Sequence, residues 1–306
     1  MDHSSALRVA VSGAGGLIGS ALVQRLAAEG HRVAPLVRRT PQGGEIGWDP
    51  EAGRLHSRDL QGVDAIIHLA GENIGTRWTE GRKARIVASR VKGTRLLSET
   101  ASQMAHRPRV MISASAVGIY GNRGDEILTE QSPLGGAHDF LVVTGRQWEA
   151  GADIARAAGI RVVHPRFGLV LSRRGGALGR MLLPFRLGLG GRLGPGSQWM
   201  SWISIDDVVS ALIFLMANEA AVGPVNVTSP EPVRNREFTR TLGRVLSRPA
   251  VLPVPSHGLR LIFGEMADAT LLTSTRVVPQ RLLQLGFQFQ HPALEPALRA
   301  VLRAEA

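Results

Sequence analysis

The run Ser12-Gly13-Ala14-Gly15-Gly16-Leu17-Ile18-Gly19 restricts the fold of this chain more than any other feature. An apolar stretch, Leu7 to Val11, precedes it and reads as a buried strand, and Leu17 to Glu29 follows with the apolar spacing of a helix. A strand, a glycine turn and a helix N-terminus in that order form an anion site. The first glycine allows the sharp turn, the next lets a pyrophosphate approach the backbone, and the third lets helix and strand pack closely. Unpaired N–H groups of the first helical turn face the phosphates. Gly13, Gly16 and Gly19 fill these places, with Leu17 and Ile18 beside them at the helix start. The spacing is G-x-x-G-x-x-G, and a glycine-rich turn that binds nothing has the same look. Residues further along must decide.

Bulk properties set outer limits. A chain of 306 residues, 44% hydrophobic, can bury a full core. The absence of cysteine excludes disulfides, thiolate metal sites and a Cys nucleophile, and it suits a reducing cytoplasm. Met1 to Ala6 lacks the pattern of a secretory leader. The longest apolar run, Val208 to Met216, is too short to span a bilayer, so no membrane role is expected. Net charge is +11 and the isoelectric point near 11.4. The only lysines are Lys83 and Lys92, and the arginines that supply the remaining basic charge are spread along the chain. With few aromatic residues to stack on bases, this predicts an anionic small-molecule ligand rather than a nucleic acid. The oligomeric state is not legible.

Short apolar runs at Val33 to Val37, Val63 to Leu69, Arg109 to Ala114 and Ile160 to His164 alternate with helical patterns at Ala84 to Met104 and Phe140 to Ala158. Such alternation implies right-handed crossovers and an α/β fold, a doubly wound parallel sheet covered on both faces. From Ser172 to Gly196 the chain is rich in Gly and Arg around Met181-Leu182-Leu183-Pro184-Phe185, and reads as an irregular cover in which Pro184 ends or kinks any helix. Ile203 to Ala217 is helical again, Val225 to Thr228 is a last strand, and Pro230 to Ala306 is mostly helical segments broken by prolines. The expected division is a dinucleotide-binding (Rossmann) domain over 1–168 plus 203–229, and a smaller substrate or lid domain over 169–202 plus 230–306.

In such folds the end of the second strand meets the adenine ribose. An acidic residue there selects NAD, whereas a nearby arginine accommodates the 2′-phosphate of NADP. This strand ends Val37-Arg38-Arg39-Thr40, with no acid and two guanidinium groups suited to phosphate. NADP is therefore the expected cofactor, read by Arg38 and Arg39. The third strand ends His68-Leu69-Ala70-Gly71-Glu72-Asn73, where Leu69, Ala70 and Gly71 let a cofactor pass close to the backbone. Arg90 and Ser113 are further candidates for cofactor contact, Ser113 being two residues before Ser115 on the same face of its strand. Arg77 and Lys83 are candidates for an anionic substrate. No His, Asp or Glu cluster has metal-ligand spacing, so no metal is expected.

These residues resemble the short-chain dehydrogenase/reductase superfamily, in its extended, sugar-nucleotide-epimerase-like branch. Beyond the glycine turn, Val110 to Ser115 with Val117-Gly118-Ile119-Tyr120-Gly121 resembles the branch's Ser-Ser-x-x-x-Tyr-Gly region. Ser201-Trp202-Ile203-Ser204-Ile205-Asp206-Asp207-Val208 resembles its later Asp-Asp-Val segment. Leu69 to Ile74, Met181 to Gly191 and Val277 to Leu282 resemble an atypical "epimerase family protein" subfamily, which ends in a small domain of unknown function matching Pro249 to Ala297 here. The resemblance implies that Pro165 and Phe167 flank backbone running past the nicotinamide amide, and that Ser115 orients a substrate carbonyl or hydroxyl.

The superfamily's Tyr-x-x-x-Lys pair is missing. If Glu149 matches the acid that often follows that pair, Leu141 and Gly145 stand in the two places, and neither transfers a proton. The only tyrosine, Tyr120, is a candidate catalytic group with Ser115, or else a structural residue packed beside the cofactor. His68 and His164 read as hydrogen-bonded structure. Two functional expectations follow: hydride transfer between NADP(H) and a small polar or anionic carbonyl or alcohol, or a catalytically silent NADPH-binding regulatory module.

Overall fold

The computed structural model describes residues 6–303. The reading of Met1 to Ala6 falls almost wholly outside that range. The strand Arg8–Ser12 pairs in parallel with Arg32–Val37 on one side and Ala65–His68 on the other. A strand with neighbours on both edges and helices on both faces needs apolar residues throughout, and Val9 to Ser12 are all buried. The full sheet runs Ile46–Gly47, Arg32–Val37, Arg8–Ser12, Ala65–His68, Val110–Ser113, Arg161–Phe167, Gly223–Val227, with Ser115–Ala116 also paired on Arg161–Phe167. Every pairing is parallel. This is the doubly wound order, in which the chain direction across the sheet reverses between Arg8–Ser12 and Ala65–His68 and opens a crevice at their carboxyl ends.

Alternation along each strand feeds two cores. Val9, Val11, Ile67 and Ile112 pack with Leu22 and Leu26 of the helix Leu17–Ala28 and with Leu212 and Leu215 of the helix Ile205–Ala217. Ala10, Leu36, Ile66 and Met111 pack on the other face with Leu97 and Ala101 of the long helix Glu80–Ser102. Each fully buried Leu or Ile contributes roughly 1.5–3 kcal/mol, so the sheet is held firmly from both faces.

A third core joins Leu178, Leu182 and Phe185 to Trp202, to Phe238 and Leu242 of the helix Asn235–Val245, and to Leu298 and Val301 of the helix Leu294–Arg303. It corrects the expectation of an irregular segment at 172–196, because Gly176–Arg186 is a helix with Pro184 inside its last turn. The three buried side chains lie on one face, and burying them outweighs the amide that Pro184 cannot donate. The helix does end two residues after the proline. The C-terminal part is stitched to the main body where Arg276–Val277 pairs in parallel with Ile127–Leu128. There the Val277 amide donates to Ser201 Oγ at 2.8 Å. Among the described residues, no helix is long and apolar enough to cross a membrane.

Candidate functional site

The glycine turn has the shape its sequence requires. Gly13 has φ +70°, and a Cβ there would stand 2.8 Å from the Ala70 nitrogen and the Leu69 carbonyl carbon. A Cβ on Gly19 would stand 2.1 Å from the Gly13 oxygen. The turn thus packs backbone on backbone against the third strand's end and its own helix. Gly16 caps the helix Leu17–Ala28 without a side-chain bond, and no acid lies in the first turn. The amides of Leu17, Ile18 and Gly19 have no acceptor within the helix. A Cβ on Gly15 would meet nothing within 4 Å, so the space before the turn is open. A cavity of about 630 Å³ adjoins it, lined by Gly15, Gly16 and Leu17 on one side and by Arg173, Arg174 and Gly175 on the other. These features fit a dinucleotide pyrophosphate.

Ser12 and His68 brace the crevice from beneath. Ser12 Oγ lies 2.6 Å from His68 Nδ1 and accepts the amides of Leu69 and Ala70 at 3.2 and 3.3 Å. Burial, then the charge of Arg90, pushes the His68 pKa down to about 3, so the ring is neutral. Arg90 lies against Gly71, donates to the carbonyls of Glu72 and Ile86 at 3.1 Å each, and stacks on Trp148 at 4.9 Å. It supports the loop over which a cofactor would pass.

The two arginines at the second strand's end differ. Arg39 makes a two-pronged pair with Glu45, at 2.7 and 2.6 Å. Arg38 is exposed and has no hydrogen bond or ion pair among the described residues. The guanidinium available to a 2′-phosphate is therefore that of Arg38.

Beyond the carboxyl end of the strand Val110–Ser113 the structure joins residues far apart in sequence. Ser115 Oγ donates to Glu149 Oε1 at 2.7 Å. The Glu149 carboxylate accepts Arg166 Nε and Nη2, each at 2.8 Å. Arg166 Nη1 donates to the Tyr120 hydroxyl at 2.9 Å, which donates to Asn226 Oδ1 at 2.8 Å. Tyr120 is fully buried, and this chain occupies its hydroxyl as both acceptor and donor. Burial raises its pKa, which Arg166 and Asn226 only partly offset. Burial also pushes the Glu149 pKa up, but the bonds and charge of Arg166 outweigh it and keep the carboxyl ionised. His164, whose pKa is lowered chiefly by burial, contacts Arg156 Nη2 at 3.2 Å through Nε2. Pro165 and Phe167 flank Arg166 on the same strand, and Ser113 Oγ is buried with no protein partner.

Leu141 and Gly145 sit where the sequence places them, on the helix Phe140–Ala150 that faces this chain. A Cβ on Gly145 would lie 2.9 Å from Ile119 Cγ1, so no lysine fits there without moving the Val117–Tyr120 turn. Arg77 and Lys83 are held by the C-terminal part: Arg77 Nη1 donates to the Leu261 carbonyl at 2.7 Å, and Lys83 pairs with Glu265. Sequence reasoning did not single out Arg166, Asn226 or Glu130 as partners. Among the described residues, no group of three or more His, Asp or Glu is placed to hold a metal ion.

Residues 9–228 match the NAD dependent epimerase/dehydratase family, and residues 254–301 match a domain of unknown function, DUF1731. The chain belongs to the NAD dependent epimerase/dehydratase family. It is 44% identical over 292 residues to an epimerase family protein of Mycobacterium bovis, covering 95% of this chain and 96% of that one. It is 38% identical over 299 residues to the human epimerase family protein SDR39U1, covering 97% and 100%. A crystal structure of that human protein (isoform 2) with NADPH superposes with a TM-score of 0.91 at 37% identity, covering 98% of this chain and all of that one. The resemblance to the epimerase-like branch and the expected fold are thus both found, including the helical C-terminal region.

Proposed function

We propose that this chain binds NADP(H) in preference to NAD(H) and serves as an oxidoreductase- or epimerase-like protein for a small polar or anionic alcohol or carbonyl. The carrying observation is the strand end at Arg38: no acid stands there to meet a ribose diol, Arg39 is satisfied by Glu45, and Arg38 has no partner among the described residues. The human relative's structure with NADPH supports the same choice. Gly13, Gly16, Leu17, Ile18 and Gly19 would hold the pyrophosphate. Leu69, Ala70 and Gly71, braced by Arg90, would border the adenosine side, with Ser113, Pro165 and Phe167 at the other end. When bound, the nicotinamide ring would supply or accept hydride. Ser115 has its proton on Glu149. It therefore meets a substrate as a hydrogen-bond acceptor and orients an alcohol better than a carbonyl. Tyr120 acts through Arg166, as a positioning residue.

A second reading, an NADPH-responsive module without turnover, is favoured by the packing of Gly145 on Ile119, which leaves no room for the superfamily's lysine. The deciding experiment is titration with NADPH and NADH, followed by nicotinamide fluorescence. NADPH binds more tightly than NADH, and Arg38→Asp abolishes that preference, a change of roughly 10- to 100-fold for one charge-assisted contact. Failure of both nucleotides to bind refutes both readings. Cofactor oxidation or reduction with a panel of alcohols and carbonyls, lost in Ser115→Ala, separates the enzyme from the module.

A further inference from the structure

A second basic site lies away from the glycine turn, on the helix Asn235–Val245. A cleft of about 470 Å³ is lined by Arg192, Arg236, Arg240 and Arg248, with Val251 at its rim and a floor that includes Gly243 and Ala250. We propose that this cleft binds a compact phosphorylated ligand carrying at least two phosphate groups, independently of the cofactor.

The first argument is the company these arginines keep. Several arginines elsewhere stand beside carboxylates, as in Arg25–Glu29, Arg123–Glu126, Arg156–Asp153, Arg260–Asp268 and Arg299–Glu295. No acidic residue lines this cleft. Arg192 Nη1 is held by the Pro195 carbonyl at 2.6 Å, and Arg248 Nε by the Arg186 carbonyl at 3.0 Å, so neither charge is neutralised. The side chains of Arg236 and Arg240 have no hydrogen bond or ion pair among the described residues. These two are four residues apart on one helix face, where like charges are mildly destabilising. Folding alone gives no reason to gather them.

The second argument is that the backbone is shaped to gather them. A Cβ on Gly196 (φ +69°) would lie 3.1 Å from Arg192 Cβ and 3.2 Å from Arg236 Cβ, so this glycine brings those two side chains together. A Cβ on Gly243 would lie 2.7 Å from Ala250 Cβ and 2.9 Å from the Arg248 oxygen, so the Arg248 turn presses directly on the helix. That turn passes through Ser247 at φ +53°, the one non-glycine residue with positive φ in the described chain. The Arg248 amide closes it on the Gly243 carbonyl at 2.9 Å.

The ligand class follows from charge and size. Each phosphate carries about 1.5–2 negative charges at neutral pH, so two of them balance four guanidinium groups. The cleft's volume falls within the small-molecule range. Its lining has no aromatic residue for base stacking, which argues against a single-stranded nucleic acid. The apolar floor accepts the body of the ligand while the rim holds its phosphates.

The test uses the full chain saturated with NADPH, so that the glycine turn is occupied, and inorganic pyrophosphate as the probe in calorimetry. Saturable binding is expected, weakened at least tenfold in Arg236→Glu/Arg240→Glu while NADPH affinity is unchanged, which also shows that the variant folds. A control, Arg32→Glu/Arg58→Glu, changes the same charge elsewhere and should leave pyrophosphate binding intact. Absence of saturable binding, equal loss in the control, or retention in the cleft variant overturns the proposal. So does a short single-stranded oligonucleotide that binds the cleft more tightly than pyrophosphate.

Discussion

Glu149→Gln isolates the buried ion pair at the centre of the candidate site. The Arg166 side chain is 4% exposed and that of Glu149 15%. The carboxylate accepts both Nε and Nη2 of Arg166 at 2.8 Å. An amide removes the charge and turns an N–H₂ group toward one of those donors. Arg166 then keeps one amide oxygen and the Tyr120 hydroxyl as acceptors, the latter at 2.9 Å. Two charge-assisted bonds at about 1.5–3 kcal/mol each give an upper range near 3–6 kcal/mol. Breaking one side of a buried pair costs about 3–5 kcal/mol. The expected loss is thus about 3–5 kcal/mol, and at about 2–4 °C per kcal/mol the melting temperature falls on the order of 6–20 °C. Urea unfolding followed by circular dichroism, with a thermal melt, measures both. The reasoning is sharper in Glu149→Gln/Arg166→Met, which removes the stranded charge. The double variant should recover about 2 kcal/mol relative to the sum of the singles. A loss below about 1 kcal/mol in Glu149→Gln, or strict additivity, refutes the argument.

Two further outcomes follow from the same geometry. Gly19→Ala places a methyl group 2.1 Å from the Gly13 oxygen, so the glycine turn must open; NADPH affinity in fluorescence titration should fall more than tenfold, and an unchanged affinity contradicts the packing described. Acid should destabilise the protein before the carboxylates titrate. His68 has a folded pKa of about 3 against 6.5 when free, and His164 is lowered in the same direction. Below about pH 6.5 the unfolded chain takes up protons that the folded chain refuses, so stability is full above that pH and declines as pH falls, for His68 down toward pH 3 by up to about 1.4 kcal/mol per pH unit, with His164 adding in the same direction. Urea midpoints at pH 7, 6 and 5 should fall in that order, and a flat series rejects the neutral buried rings.

The sheet was legible because its order is written locally. Each strand expected from an apolar run is present with its ends shifted by a few residues, whereas Ile46–Gly47, which was not expected, has too few residues to carry a period. The helix at 176–186 was hidden by Gly176, Gly179 and Pro184, which break local propensity, while the burial that overrides them comes from Trp202, Phe238 and Leu298. The glycine turn was readable for the opposite reason, since the positive φ of Gly13 and the packing of Gly19 on the Gly13 oxygen lie within eight residues of sequence. The polar chain at the site was not. Ser115 and Glu149 are 34 residues apart, Arg166 and Tyr120 46, and Tyr120 and Asn226 106. No periodicity encodes such pairings. Arg38 and Arg39 were equivalent in sequence, and only the position of Glu45 tells them apart.

Glu130 sets a clock on the making of this protein. Its Oε1 accepts the amide of Asn226, 96 residues later, and that of Arg281, 151 residues later. At about 5–20 residues per second, synthesis brings the first of these roughly 5–20 s after Glu130 and the second roughly 8–30 s after it. During that interval the nascent chain has its glycine turn and most of its sheet, but the edge of Arg161–Phe167 lacks its outer neighbour and the Tyr120 hydroxyl lacks Asn226. Until then the Glu130 carboxylate lacks both of these amide donors, and a carboxylate beside an open edge disfavours pairing with another chain. The ribosome thus delivers the cofactor-shaped half first, and the site closes only when the last third of the chain arrives.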